Sequence, residues 1–162
     1  MTFARRALVM AALLFWHGGA TFYAAVAIPV GLSVLDPPAH QTFVTQAVTN
    51  WLNLAGAVAV VLFAWDLLAG GDACKARRRW RWAAWLGTAA TLALMAWLHP
   101  QLDALMDRQR LVILDRAALR PLHHAYLAVS GVQWLCATAY ALLTLHAWTD
   151  GRLPEGSTVI AS

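Results

Sequence analysis

The sequence predicts an all-α integral membrane protein, a bundle of four helices that forms one domain over residues 1–162. Four long apolar segments, residues 7–34, 50–69, 80–98 and 125–148, make up more than half of the chain. Each is close to the roughly 20 helical residues that cross a hydrocarbon core about 30 Å thick. Charged residues are 12% of the chain, about half the share that is usual in soluble proteins. Backbone polar groups find no water in lipid, and the alternating period of a membrane barrel is absent, so each segment is expected to be helical.

The first segment, residues 7–34, is predicted to be helix 1. Arg5 and Arg6 in front of it and Ala25-Val26-Ala27 within it also match a cleaved secretory signal, but the apolar run is longer than a typical signal core. The run Asp36-Pro37-Pro38 is predicted to end the helix. Proline lacks a backbone N–H and disfavours helical geometry in the residue before it.

The second and third segments, residues 50–69 and 80–98, flank a short basic connection. If the four segments cross alternately, one side of the membrane receives eight of the twelve basic residues: Arg5, Arg6, Lys75, Arg77, Arg78, Arg79, Arg81 and Arg152. The positive-inside rule then places this side and both termini in the cytoplasm, and we expect a bacterial inner membrane. Such a connection contacts anionic lipid headgroups, so no nucleic-acid partner is expected. Asp66, near the end of its segment, is expected to meet water or this basic connection.

The last connection and helix 4 complete the predicted bundle. His99-Pro100 is predicted to end helix 3, and helix 4 is predicted over residues 125–148. Between them, apolar residues alternate with acids and arginines over residues 101–120. This pattern predicts a short amphipathic helical segment that lies on the outer face or docks a partner.

His17 lies about ten residues into the first apolar segment, beside Gly18-Gly19, and hence near the middle of the membrane. An ionisable group at that depth is costly unless it faces the bundle interior and finds a partner. One interpretation is a hydrogen bond to another helix. The other is a single axial ligand to a haem or pigment. A haem with two histidine ligands is not expected, because no other predicted helix has a histidine at this depth.

Histidines also collect on the predicted outer side. His99, His123 and His124 lie at the ends of the third and fourth predicted helices, which can be neighbours. Neutral imidazoles from separate helices can bind copper, zinc or a haem iron. Adjacent residues on a helix point about 100° apart, so at most one of His123 and His124 is expected to share a ligand sphere with His99.

One sequence run carries a resemblance. Trp16-His17-Gly18-Gly19-Ala20-Thr21-Phe22, followed by Pro29 and Gly31, resembles the first-helix pattern of small uncharacterised bacterial four-helix membrane proteins, which are distantly similar to the copper-resistance CopD-type membrane domain. The resemblance covers mainly this helix. It implies a four-helix bundle with metal handling at the outer face, although Met106 is the only methionine on that face.

No catalytic motif is found in the sequence. Paired carboxylates, a serine or cysteine beside a base, and a glycine-rich phosphate loop are all absent. The leading hypothesis is therefore a non-catalytic accessory or structural subunit of a larger membrane complex, in contact with lipid and a membrane-protein partner. The first alternative is a protein that binds metal or haem through His17 or the outer histidines. The second is a small transporter, for which the sequence supplies few polar residues at mid-membrane depth.

Overall fold

The computed structural model describes residues 2–37 and 40–150. Four long helices form a bundle: α1 Thr2–Val34, α2 His40–Ala69, α3 Lys75–Asp103 and α4 Arg116–Asp150. A two-stranded antiparallel hairpin, β1 Met106–Asp107 and β2 Val112–Ile113, joins α3 to α4. Consecutive helices pack against each other, and α4 also contacts α1. The predicted fold, four helices in one bundle, is confirmed.

Three of the helices, α1, α2 and α4, are long and apolar enough to cross a membrane. Helix α3 has 29 residues but begins with five basic side chains in its first two turns, and tryptophans and threonines interrupt its apolar part. Large apolar side chains cover the outside of the bundle, including Phe15 at 76% exposure, Trp51 at 73% and Trp97 at 64%. An apolar surface of this extent suits contact with lipid or protein rather than with water.

The two ends of the bundle differ in chemistry. The basic end is defined here by Arg5, Ala69, Lys75 and Asp150, and the hairpin end by residues 34–37, the start of α2 at His40, and the β1–β2 hairpin. The buried apolar side chains form one cluster towards each end. The cluster near the basic end consists of Val9, Leu13, Trp16, Ala59, Phe63, Leu67, Ala84, Ala137 and Tyr140. The cluster near the hairpin end consists of Met95, Leu98, Leu102 and Tyr126.

Helix α1 is continuous but contains two π-helical stretches, Leu13–Gly18 and Tyr23–Ala27. It begins before the predicted residue 7 and ends at Val34, as predicted. Leu35 has an extended backbone with ψ of 131°. Asp36 and Pro37 follow it, which agrees with the restricted geometry of residues near proline.

Helix α2 begins at His40, ten residues before the predicted start at Asn50. The added turns are polar, but their side chains find partners in the bundle. The Gln41 amide donates to the Tyr23 hydroxyl at 3.3 Å, and the Gln46 amide donates to Asp103. These contacts satisfy buried polar groups, so the helix extends beyond the apolar segment.

The connection between α3 and α4 corrects the prediction of a short amphipathic helical segment over residues 101–120. Helix α3 continues through Pro100 to Asp103, where Leu102 is buried, and the hairpin follows. The prediction of a helix stop at Pro100 was wrong because one lost backbone hydrogen bond is offset by packing of the last turn.

Helix α4 begins at Arg116 rather than at the predicted residue 125 and contains Pro121. Asp115 explains this start. Its carboxylate accepts hydrogen bonds from the backbone N–H groups of Ala117 at 2.9 Å and Ala118 at 3.0 Å. This is the contact of a helix N-cap, which satisfies donors that have no partner inside the helix.

Candidate functional site

The polar side chains inside the bundle include three groups that join helices. One lies at the basic end around Asp66, one in the middle of α1 around His17, and one at the hairpin end around His99. Buried polar groups are costly without partners, particularly in a protein surrounded by lipid. The partners of each group therefore indicate what it does.

Asp66 is the centre of the group at the basic end. It is fully buried on α2, and its two carboxylate oxygens contact two arginines. Arg81 on α3 donates to one oxygen at 2.6 Å. The Arg5 Nε on α1 lies 2.9 Å from the other. One carboxylate therefore joins three helices.

Arg81 extends this group to α4. Its side chain is 2% exposed, its Nε donates to the Thr144 hydroxyl at 3.2 Å, and its guanidinium carbon lies 5.8 Å from the centre of the Tyr140 ring. The Tyr140 hydroxyl in turn donates to the backbone carbonyl of Phe63 on α2 at 3.1 Å. The buried charges are thus paired and hydrogen-bonded to all four helices, an arrangement that fixes the packing of the bundle.

A second acid, Asp72, lies in the connection between α2 and α3. The Arg77 guanidinium donates to its carboxylate at 2.7 Å and also contacts Asp150 at the end of α4. Hydrogen bonding from Arg77 lowers the pKa of the Asp72 carboxyl below its ordinary value, with smaller contributions from the Cys74 backbone and from Arg81. Asp72 therefore stays ionised and holds the connection against α3 and α4.

The prediction that Arg77 and Arg81 belong to a basic connection that contacts lipid headgroups is wrong for both side chains. Each is turned into the bundle and paired with an acid. Lys75, Arg78 and Arg79 in the same run are exposed. The expectation that Asp66 meets the basic connection is confirmed. The position of Arg81, two turns into the helix that follows Asp66, is the sequence signal that indicates its place inside the bundle.

His17 lies in the first π-helical stretch of α1 and is half-buried. Its Nε2 lies 3.1 Å from the Thr138 hydroxyl on α4, and its ring centre is 5.4 Å from that of Trp134. The Trp134 indole N–H donates to Thr21 at 2.9 Å. His17 therefore takes part in a hydrogen-bonded contact between α1 and α4, which corresponds to the first of the two interpretations of this residue.

The group at the hairpin end centres on His99, which is 8% exposed. Its Nε2 lies 3.6 Å from a carboxylate oxygen of Asp103, one turn further along α3. That same oxygen accepts a hydrogen bond from Gln46 on α2. On its other side, the imidazole faces Tyr126 of α4 at 6.3 Å between ring centres. Residues from three helices thus meet at the hairpin end.

Two atoms of this group have no hydrogen-bond partner among the described residues. They are the Nε2 of His99 and the Oε1 of Gln46, both on buried side chains. The neighbouring Tyr126 hydroxyl is satisfied by the Asn53 amide, which donates to it at 3.2 Å. Buried polar atoms are nearly always paired in folded proteins, so these two atoms are exceptions at the hairpin end.

Comparisons with protein-family models, curated proteins and solved structures found no match to this chain. Its function is therefore argued from its own residues.

His123 and His124 are exposed on the second turn of α4, whereas His99 is buried. Across residues 2–37 and 40–150, no three His, Cys, Asp or Glu side chains are positioned together to hold a metal ion. The structure thus does not assemble the expected group of His99, His123 and His124. It instead places Asp103 and Gln46 beside His99, a pairing that the i, i+4 spacing of His99 and Asp103 on one helix could have revealed.

Proposed function

We propose that this chain is a non-catalytic integral membrane protein that acts as an accessory subunit of a larger membrane complex. The observation that carries the proposal is the outer half of α1. From Gly19 to Val34 this helix has no buried residue, although α1 as a whole is apolar enough to cross a membrane. A second membrane protein on this surface would bury the side chains of Gly19–Val34 that the bundle itself does not bury.

Gly18 adds a specific observation to this proposal. Small residues let membrane helices approach closely, and several glycines of this chain, including Gly56 and Gly87, are used in that way within the bundle. A Cβ on Gly56 would lie 2.7 Å from the Trp16 Nε1, and one on Gly87 would lie 2.7 Å from the Cys136 Sγ. A Cβ on Gly18 would meet nothing within 4 Å, so this glycine is free for close approach by another chain.

The proposal includes four membrane crossings, with α3 as the fourth. Trp80 and Trp97 on α3 are both strongly exposed, at 67% and 64%. Seventeen residues separate them, or about 25 Å along a helix. Tryptophan prefers the two interfaces of a bilayer, and this spacing is close to its hydrocarbon thickness. The basic end then faces the cytoplasm of a bacterial cell, with both termini on that side.

Gentle detergent extraction from the native membrane tests the accessory role. We expect the tagged chain to co-purify with a defined set of membrane proteins on a native gel. Gly18→Leu should reduce the recovered partners at least tenfold, which corresponds to about 1.4 kcal/mol of association free energy. Recovery of the intact protein only as an isolated monomer would contradict the proposal.

Gly131→Leu on α4 is the matched control. Gly131 is also exposed, and a Cβ there would likewise meet nothing within 4 Å. Both variants should keep the helix content and unfolding temperature of the original protein, because neither new side chain meets a neighbour. Equal loss of partners from both variants would show that the outer half of α1 is not the specific contact.

A further inference from the structure

We propose that His99 and Asp103, together with Gln46, form a binding site for a divalent transition-metal ion such as Zn²⁺. This site is independent of the accessory role and differs from a group of His99, His123 and His124. It is built from two residues on one turn of α3 and one on α2.

The spacing of the donor atoms supports a bridging ion. The His99 Nε2 and the Asp103 carboxylate oxygen are 3.6 Å apart, which is longer than a hydrogen bond between nitrogen and oxygen. Zinc binds imidazole nitrogen and carboxylate oxygen at about 2.0–2.2 Å each, so two such ligands at a tetrahedral angle lie about 3.4 Å apart. The observed gap is therefore close to the separation that one ion requires.

The unpartnered atoms belong to the two side chains that lie beside this carboxylate oxygen. The His99 Nε2 and the Gln46 Oε1 have no hydrogen-bond partner, and the two residues are 8% and 5% exposed. The Gln46 oxygen shares its carbon with the amide nitrogen that donates to Asp103, so it lies a few ångströms from the carboxylate. A cation at the carboxylate would supply both atoms with a partner, and water would complete the ligand set.

The surroundings leave the negative charge of Asp103 available. Arg108 is the nearest cation to its other carboxylate oxygen, at 3.6 Å, but its side chain is 49% exposed. Solvent therefore screens much of its attraction. A nitrogen, a carboxylate oxygen and an amide oxygen form a donor set of borderline character, which suits zinc and other late first-row divalent ions rather than calcium.

Titration of the full chain in detergent with Zn²⁺, and separately with Co²⁺ as a spectroscopic probe, tests the site. We expect one ion per chain and visible Co²⁺ absorption bands typical of low coordination number. His99→Ala and Asp103→Asn should each weaken Zn²⁺ binding by at least the roughly 10–100-fold that is lost when only an outer-shell partner of a metal site is removed. Gln46→Leu should weaken it as well.

Two controls keep the test decisive. His124→Ala removes an exposed histidine outside the proposed site and should bind Zn²⁺ like the original protein. If His99→Ala fails to fold, as judged by helix content and elution volume, Asp103→Asn decides alone, since its side chain is partly exposed and the substitution conserves shape. The proposal is overturned if the intact chain binds no ion, if Asp103→Asn binds as tightly, or if His124→Ala abolishes binding.

Discussion

At the scale of single residues, the chain places its buried charges where each finds an opposite charge. Asp66 is fully buried between Arg81 and Arg5. A buried ion pair is not by itself strong evidence of stability, because removal from water costs about as much as the attraction returns. Removal of only one partner of the pair is different, because an uncompensated charge then remains inside the bundle.

Asp66→Asn should therefore destabilise the protein by about 3–5 kcal/mol, because Arg5 loses its charged partner and the buried Arg81 keeps only its longer contact with Asp72, at 3.7 Å. The measurement is the unfolding midpoint in detergent. Arg79→Met is the matched control, since Arg79 carries the same charge on the same helix but is exposed. An Asp66→Asn variant that unfolds at the same midpoint as Arg79→Met would show that the buried pairs do not stabilise the bundle.

At the same scale, His17 takes part in a polar contact between two helices. Its contact with Thr138 and the adjacent bond from Trp134 to Thr21 both join α1 to α4. The π-helical geometry around it changes the rotation of the side chains by adding a residue to the turn. The contact can thus form although no residue of α1 from Gly19 to Val34 is buried.

At the scale of elements, helix ends follow capping and packing rather than the limits of apolar segments. Helix α2 continues to His40 because Gln41 and Gln46 have partners. Helix α4 begins at Arg116 because Asp115 caps it. Gln109 and Arg110 donate backbone N–H groups to Asp107 at 2.9 Å and 3.1 Å in the hairpin. These short-range bonds replace the amphipathic helix that the sequence pattern indicated.

Asp115→Ala should destabilise the start of α4 by about 0.5–2 kcal/mol, the usual cost of losing an N-cap side chain. Asp115→Asn should stay near the original stability, because asparagine accepts the same two backbone hydrogen bonds. Hydrogen exchange at Ala117 and Ala118 measures the effect directly. Equal exchange in all three proteins would indicate that the hairpin, rather than the cap, fixes the start of this helix.

At the scale of the whole molecule, the proposed arrangement depends on whether α3 crosses the membrane. Helices α1, α2 and α4 have the length and hydropathy for crossing. Cys74 lies before α3 and Gln109 lies after it, and both are exposed. If these two residues lie on opposite sides of the membrane, α3 crosses it. This test needs no assumption about the hydropathy of α3.

In a Cys136→Ser background, a membrane-impermeant maleimide added to intact cells should label Gln109→Cys but not Cys74. After permeabilisation both should be labelled. This result follows from the excess of basic residues at the basic end, which retains that end in the cytoplasm. Labelling of both cysteines from outside would show that α3 does not cross, and labelling of Cys74 alone would reverse the proposed orientation.

The sequence determined the number and order of the helices, the end of α1 before Pro37, and the contact between Asp66 and the basic connection. These features depend on local composition, on proline geometry and on charge, and short stretches of sequence are enough to predict them.

Only the tertiary structure decided which polar residues meet. It turned Arg77 and Arg81 inward while leaving Arg78 exposed, replaced the predicted outer helix by a hairpin, and separated His99 from His123 and His124 while placing it beside Asp103 and Gln46. The physical reason is that rotation of each helix about its axis selects its neighbours. That rotation is set by packing and hydrogen bonding across the whole bundle, which no single segment encodes.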